Sequence, residues 1–400
     1  MRSPLEIGTR SRNSIWGAFL VMGMVSMGWV PRIPEIKDAN GLSNGQFGLV
    51  LLASSLGSVA GAQLSGRLVH SFGSRAVARI AGFVMPVGLI GMGLSTNPIM
   101  LVITLFVMGF GYASMDICLN TQGVAVEKIL GRRWMSSFHA MWSTGAFLIT
   151  VIGGVIARHV SPSVNLVAIG AICVAAFVPA VASLLPPELD GHSGGVEDTQ
   201  AKIPLFSRST FPLWGIGFGL LGCLIAEGAA SDWGAILLRD HMGVGKGINA
   251  SAFASFALAM ITSRFLGDKA LDHFGPARLV KLGGYIGAVG WGASIAIAIP
   301  LSPTHPLIAL IIINFGFILA GLGIGPMFPA FILAASATPG IAPSVAIARV
   351  GVIGITGYFL GPSLTGALAE LFSLPVAMFY PVAMLLVAGY LSHTIKSEKK

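Results

Sequence analysis

Two acidic residues lie inside long apolar segments of this sequence, where a bare charge costs at least about 2.5 kcal/mol to insert into a bilayer. Asp116 is near the centre of one apolar segment, and we place Glu227 in the outer half of another. A low-dielectric environment favours the neutral form of a carboxyl group, so such an acid can take up and release a proton. We therefore expect Asp116 to carry protons, with Glu227 as a second acid.

Each acid also has a simpler interpretation. Asn120 follows Asp116 by four residues, so a helix would place both side chains on one face, where they could share a polar solute or a hydrogen-bond network. Asp116 would otherwise be a structural acid bonded to a neighbouring helix. Glu227 could bind solute, close an outer gate or be a carboxylate exposed to water at the edge of a broken helix.

Further candidates for binding the solute come from a third apolar segment and from the tryptophans. His139 and Ser143 are one helical turn apart, and a cavity-facing histidine could relay protons or bond to a neighbouring helix end. Most tryptophans fall near segment ends, where they would form an interfacial belt, but Trp142 and Trp233 are candidate stacking surfaces. Arg349 lies within a span and either reaches the cytoplasmic surface or pairs with an acid.

The composition predicts that membrane helices position these residues. The 400 residues are 54% hydrophobic and 10% charged, and 53 are glycines, which allow close helix packing in lipid. We expect an all-α integral membrane protein with twelve transmembrane helices. The apolar segments are placed at 14–31, 46–66, 76–96, 99–126, 137–157, 163–185, 210–237, 249–267, 279–300, 305–335, 343–369 and 373–393.

The distribution of charge predicts the orientation. With the N-terminus inside, most of the 24 Lys and Arg residues fall in cytoplasmic segments, which is the asymmetry expected of an inserted protein. An even number of spans then places both termini in the cytoplasm. The net charge of +8 is thereby explained without a nucleic-acid partner, and we expect a multi-pass protein of the bacterial inner membrane.

The chain contains an internal repeat. The loop after the second span reads SGRLVHSFGSR (Ser65–Arg75), and the loop after the eighth span, about half the chain later, reads LGDKALDHFGPAR (Leu266–Arg278). A duplication of two pseudo-symmetric six-helix bundles accounts for this pattern, and paired repeats are typical of transporters with a midplane site. We predict bundles at 1–186 and 209–400, joined by a polar, Gly- and Pro-rich cytoplasmic linker at 187–208.

Both loops resemble the signature of the major facilitator superfamily, of the form G-x-L-x-D-r-f-G-r-r. The resemblance implies a latch at the cytoplasmic face, where glycine permits a tight turn and charges contact helix ends. The acid expected in the first copy is replaced by His70. The residues that match are Gly66, Leu68, Phe72, Gly73 and Arg75 in the first copy and Gly267, Asp268, Asp272, Phe274, Gly275 and Arg278 in the second.

Within that superfamily, three segments look like the fucose-permease-like branch. They are WVPRIPEIKDANGLSNGQFG (Trp29–Gly48), MDICLNTQGVAVEKILGRRWMSSFHAMWSTG (Met115–Gly145) and EGAASDWGAILLRD (Glu227–Asp240). The resemblance implies an acid and an asparagine in the fourth helix, matching Asp116 and Asn120, with the acid linked to proton coupling. It also implies uptake of a sugar-like solute by a chain that works as a monomer.

The sequence contains no P-loop, no H-E-x-x-H and no cysteine/histidine metal spacing, so it predicts neither an enzyme nor a bound cofactor or metal. Energy would then come from an ion gradient. We expect proton-coupled symport of a small neutral polar solute by alternating access, because few charges are available to bind an ionic one. The alternative is proton-driven export of amphipathic compounds by the same fold.

Overall fold

The computed structural model describes residues 3–132, 134–190, 211–339, 341 and 343–395, and every regular element among them is helical. Backbone groups in a bilayer must be hydrogen-bonded within the chain, and helices achieve this in each segment separately. The first seven α-helices are α1 (Pro4–Met27), α2 (Ile33–Ala39), α3 (Asn44–Phe72), α4 (Ser74–Gly93), α5 (Pro98–Leu130), α6 (Met135–Ile156) and α7 (Pro162–Ala180).

The second half of the chain repeats the pattern of long apolar helices. One of them, α9, contains a break at Gly275, whose backbone (φ 72°, ψ 160°) is not helical. Two helical segments therefore meet at this glycine. The helices are α8 (Phe211–Met242), α9 (Ser251–Leu301), α10 (Pro306–Ile324), α11 (Met327–Ser336), α12 (Pro343–Leu371), α13 (Leu374–Ala377) and α14 (Phe379–Leu391).

Twelve segments of the described residues are long and apolar enough to cross a membrane. They coincide with the twelve spans predicted from the sequence, so the all-helical membrane architecture is confirmed. The longest helix, α9, contributes to two of them, Ile248–Gly267 and Lys269–Leu301. Short helices complete others, since α10 and α11 together form the segment Pro306–Ser336.

Glycines lie where helices approach most closely. Between α1 and α6, a Cβ atom at Gly23 would overlap the backbone oxygen of Trp142, and one at Gly145 would overlap that of Leu20. In the other half, Gly283 of α9 and Gly323 of α10 meet backbone to backbone in the same way. The glycine-rich composition therefore reflects close helix contacts, as expected where lipid supplies no hydrophobic drive for association.

The contacts divide the chain into two compact units. The first comprises Met1–Leu42 and Val50–Asp198, and the second comprises Ser43–Leu49 and Thr199–Lys400. The first turn of α3 thus packs within the second unit, where the Gly45 amide donates a hydrogen bond of 3.0 Å to the Glu370 carboxylate.

Most of the predicted linker, 187–208, lies outside the described residues. The described residues of this stretch, 187–190, pack against the rest of the first unit. Pro187 packs close to Gly73, and Asp190 is buried with 1% of its surface exposed. These residues extend the first unit beyond the boundary at 186 that the composition suggested.

Candidate functional site

Asp116 lies in the middle of α5, where the sequence placed it, and its side chain is partly exposed. The Asn120 amide, one turn later, donates a hydrogen bond of 2.8 Å to the backbone carbonyl of Asp116. In the part of the chain that the structure describes, no cationic side chain pairs with Asp116. The two residues form a polar patch on an otherwise apolar helix.

The three candidates on α6 differ in their environments. Ser143 is buried, and its hydroxyl donates a hydrogen bond of 3.3 Å to the His139 backbone carbonyl. The His139 side chain is exposed, with its ring centroid 5.1 Å from that of Phe19. Trp142 is half-buried, and its indole N–H is shielded from solvent without a hydrogen-bond partner among the described residues. Such a donor is ready to bond an oxygen atom that enters beside it.

Glu227 occupies the midpoint of the helical segment Leu213–Met242. Its carboxylate lies 3.6 Å from the guanidinium group of Arg264 on α9, and the two side chains are 17% and 23% exposed. Arg264, which we did not select as a candidate, lies inside the apolar segment Ile248–Gly267. A basic residue inside an apolar segment, like Arg349, was the signal that could have identified it.

Trp233 is not available as a stacking surface in this structure. Its side chain is completely buried, and its ring meets that of Phe47 edge to face at 5.6 Å. The neighbouring acid, Asp232, is partly exposed and accepts a hydrogen bond of 3.1 Å from the Ser231 hydroxyl. Trp233 is therefore a packing residue of the second unit here, which corrects the expectation that it presents an open ring face to a solute.

The first repeat loop, Ser65–Arg75, is held by an acid that the sequence analysis did not select. The backbone amide and the hydroxyl of Ser74 donate to the same Asp190 carboxylate oxygen at 2.8 and 2.6 Å. Ser74 begins α4, so Asp190 caps this helix from a distant part of the chain and meets the positive end of its dipole. The amide of Gln122 on α5 donates to the Ser74 hydroxyl at 2.8 Å and so completes a buried network.

The residues predicted to form the latch in this loop have different surroundings. Gly73 adopts a positive φ of 78°, and Arg75 donates a hydrogen bond of 2.5 Å to the Ala182 carbonyl. His70 is exposed and has no hydrogen bond or ion pair within the described residues. A Cβ atom at Gly66 would meet nothing within 4 Å, so close packing does not require that glycine. The contacts of this loop converge on Gly73 and Ser74, not on position 70.

The second repeat loop, Leu266–Arg278, has the same turn with different contacts. Gly275 has nearly the same backbone angles as Gly73, but a Cβ atom there would meet nothing within 4 Å. Asp272 is exposed, and the Arg278 guanidinium lies over the Phe274 ring at 5.7 Å. The side chain of Asp268 lies outside the described part of the structure.

Two further arginines in or near spans have well-defined places. Arg32 is completely buried, pairs with Glu35 at 3.1 Å and donates to the backbone carbonyls of Ala157 and Val160. It therefore ties the end of the first span to the end of α6. Arg349 is the first residue of the apolar part of α12. Its side chain is partly exposed and interacts with another residue of the protein.

Comparison with known proteins identifies the family. The model of the Major Facilitator Superfamily matches residues 15–345, which is most of the chain. This protein belongs to the major facilitator superfamily. The family assignment points to a transporter, in agreement with the twelve membrane-capable helices of the described residues.

Relatives of this major facilitator protein cover almost its whole length. It is 32% identical over 373 residues to an uncharacterized MFS-type transporter of Yersinia pestis, which aligns over 92% of this chain and 91% of that protein. It is 30% identical over 369 residues to an uncharacterized transporter of Sinorhizobium fredii, with 90% and 92% covered. The membrane protein MosC of Rhizobium meliloti is 26% identical over 92% of this chain and 85% of MosC.

Solved structures of the same fold are more distant in sequence. A variant of the nucleoside transporter NupG superimposes with a TM-score of 0.77 over 98% of this chain and 100% of NupG, at 13% identity. A bacterial homolog of the human lysosomal transporter Spinster, in an inward-facing and unoccupied conformation, gives 0.72 over 99% and 98%, at 14% identity. These similarities show that the chain shares the fold of these multi-pass membrane proteins.

Proposed function

We propose that this transporter couples the uptake of a small neutral polar solute to protons, with Asp116 as the proton carrier. The observation that carries the proposal is the environment of Asp116, a mid-span acid without a cationic partner among the described residues. Ionisable residues inside spans are rare, and they mark ion pathways or proton relays more often than incidental positions.

Other described acids have structural roles that Asp116 lacks. Asp190 caps α4, the Glu127 carboxylate accepts from the backbone amides of Trp134 and Met135 at the start of α6, and Glu370 accepts from the Gly45 amide. Each of these acids neutralises an otherwise unpaired helix N-terminus. Asp116 lies far from the ends of its own helix, so helix capping does not explain it.

The two mid-span acids also differ in what protonation would leave behind. Adding a proton to Glu227 would leave Arg264 as a charge without its partner, which is costly away from water. Protonation of Asp116 removes a charge from the span and leaves no cation unpaired. We therefore assign the proton to Asp116 and treat Glu227 as the second, paired acid.

Polar groups near Asp116 in the chain can bind the solute in the first unit. Asn120 offers an amide, Trp142 offers an unpartnered indole N–H, and His139 and Ser143 add further polar groups on α6. None of these groups carries a full charge except a protonated histidine, which supports a neutral solute. The likeness to the fucose-permease-like branch supports a sugar-like one, and the NupG fold match makes nucleosides a second class to test. We further propose that one chain transports alone in the bacterial inner membrane, with both termini cytoplasmic.

Solute-driven proton movement into proteoliposomes tests the proposal. The purified protein and its Asp116→Asn variant are screened with neutral sugars, nucleosides and small acids, with a pH-sensitive dye inside the vesicles. Asn keeps the shape of a protonated Asp, so we expect the variant to exchange solute across the membrane but to move no protons with it. Asp38→Asn, which neutralises an exposed acid on α2, is the control and should leave coupling unchanged.

The outcomes separate the alternatives. Unchanged proton coupling in Asp116→Asn would refute the assignment of Asp116. Proton movement that is driven only by amphipathic compounds, in the opposite direction, would replace uptake with export.

A further inference from the structure

We propose that Glu227 and Arg264 form a hydroxyl-binding pair that holds a neutral, polyhydroxylated solute in the second unit. This inference deepens the proposed function and rests on it. It gives the two ionisable side chains one shared task, recognition of the solute, and leaves proton transport to Asp116.

The position of the pair supports a role in recognition. Glu227 is at the midpoint of the membrane-capable segment Leu213–Met242, and Arg264 lies near the end of the next one, Ile248–Gly267. Both side chains remain partly exposed, at 17% and 23%. Ionisable side chains within spans face the interior of a helix bundle or a water-filled cavity. Glu227 and Arg264 are therefore accessible to a molecule dissolved in water.

The geometry of the pair leaves room for a bridging oxygen atom. The closest approach, between Glu227 Oε1 and Arg264 Nη2, is 3.6 Å, which is longer than the range of about 2.7–3.2 Å for a direct N–H···O hydrogen bond. A hydroxyl group can donate to the carboxylate and accept from the guanidinium group at the same time. A sugar-like solute presents neighbouring hydroxyl groups, which match an acceptor and a donor set side by side.

The neighbouring part of α8 offers space and further polarity. Gly228 is partly exposed, and a Cβ atom added there would meet nothing within 4 Å. Ser231, one turn beyond Glu227, donates to the Gly228 carbonyl at 2.9 Å and lies within 3.1 Å of the Asp232 carboxylate. The helix therefore has an open glycine beside the acid and polar groups one turn further on.

A second ion pair in the chain shows what a purely structural pair looks like. Arg32 binds both carboxylate oxygens of Glu35 at 3.1 Å, is 0% exposed and also donates to two backbone carbonyls. That arginine is enclosed by the acceptors that surround it. Arg264 is more exposed, and its contact with Glu227 is longer. The two pairs therefore differ in exposure and in contact distance, the two features that allow a solute to bind.

The charge of the pair determines the solute class. Carboxylate and guanidinium together are neutral, so a neutral solute can bind without leaving a net charge buried. An anionic solute would instead compete with Glu227 for Arg264. The inference therefore predicts binding of neutral polyhydroxylated compounds and rejection of small carboxylic acids.

Equilibrium binding to the purified protein in detergent tests this inference. Neutral sugars, nucleosides, their deoxy analogues and small carboxylic acids are titrated against wild type, Glu227→Gln and Arg264→Lys, with affinity measured by intrinsic tryptophan fluorescence. We expect each variant to lose at least about tenfold in affinity for the best neutral solute, because a hydrogen bond to a charged group is lost or displaced. Wild type should bind one deoxy analogue with an affinity lower by a similar factor than that for the parent solute. Glu227→Gln should bind this analogue and the parent solute with nearly the same affinity.

Two further variants separate recognition from folding. The reversed pair, Glu227→Arg with Arg264→Glu, should regain the thermal stability of wild type but not its affinity, because donor and acceptor have changed places. Glu35→Gln breaks the enclosed pair, so it should lower thermal stability and leave affinity unchanged. Restored affinity in the reversed pair would make Glu227 and Arg264 a structural ion pair and overturn the proposal.

The remaining outcomes distinguish this inference from the proposed function. Wild-type affinity in both Glu227→Gln and Arg264→Lys, or preferential binding of carboxylic acids, would overturn the hydroxyl-binding pair and leave proton-coupled transport standing. If Asp116→Asn binds the solute and still couples protons, the proton assignment fails and the solute pair stands.

Discussion

The two repeat loops have the same backbone turn, but the first residue of the helix that follows each loop meets its hydrogen-bonding needs in a different way. Gly73 (φ 78°, ψ 154°) and Gly275 (φ 72°, ψ 160°) adopt nearly identical conformations. After Gly73 comes Ser74, whose amide needs an acceptor and receives the Asp190 carboxylate. After Gly275 comes Pro276, which has no N–H to satisfy and is favoured at the start of a helix.

This difference shows that a repeated motif preserves a conformation more faithfully than a contact. The first loop is enclosed by Pro187, Asp190 and Gln122, whereas Gly275 has open space around it and Asp272 is exposed. The superfamily signature led us to expect an acid at position 70 of the first copy. In the structure, the acid that contacts this loop is Asp190, near the end of the first unit.

The mid-span acids repeat the contrast between the two units. Asp116 has an asparagine beside it and no cationic partner among the described residues, whereas Glu227 has Arg264. The acids near the middle of these two spans thus have different electrostatic settings. We propose that Asp116, which has no cationic partner among the described residues, carries the proton, and that Glu227, which pairs with Arg264, binds the solute.

The largest expected effect comes from replacing the two turn glycines by alanine. Both adopt angles that are essentially restricted to glycine, and a side chain there costs about 1–3 kcal/mol. At Gly73 the new methyl group would also lie 3.0 Å from Pro187, which adds about 1–3 kcal/mol of overpacking. Gly73→Ala should therefore destabilise the protein more than Gly275→Ala, as measured by unfolding in mixed micelles. Equal losses would show that the first loop is no more enclosed than the second.

Removal of the distant cap should have the next largest effect. Asp190→Ala leaves the buried amide and hydroxyl of Ser74 without their acceptor, and we expect a loss of about 2–4 kcal/mol in the free energy of unfolding. Asp272→Ala, at the exposed acid of the second loop, should change it by less than about 0.5 kcal/mol. If both substitutions cost the same, Asp190 does not hold the loop.

The smallest expected effect is at position 70, where the signature would have an acid. His70 is exposed and makes no contact with other described residues that an aspartate would need to replace. His70→Asp should therefore shift the free energy of unfolding by less than about 0.5 kcal/mol, with transport unchanged. A gain in stability well above that value would show that position 70 retains the role of the signature acid.

Local sequence signals were sufficient for the helices and for the turns. Apolar segments of about 20 residues predict spans because a bilayer core has a fixed thickness, and all twelve were found. The glycine of each loop was recognisable because the turn needs an angle that other residues rarely adopt. Asp116 and Asn120 were recognisable because polar residues are expensive in a span and four residues make one helical turn.

The partners of these residues were not recognisable from the sequence. Asp190 lies 116 positions from Ser74, in a Pro- and Gly-rich stretch that looked like a linker. Arg264 lies near the end of the predicted span 249–267, close to other basic residues along the chain, so nothing in the sequence linked it to Glu227.

The sequence by itself determined the class of protein, the number of spans, the repeat and the polar residues placed at membrane depth, because each depends on composition or on short periodic patterns. Only the tertiary structure decided that Asp190 caps α4, that Glu227 meets Arg264 and that Trp233 is buried against Phe47. These contacts join residues on different elements of the chain. They depend on how packed helices rotate and approach one another, which no local pattern of residues specifies.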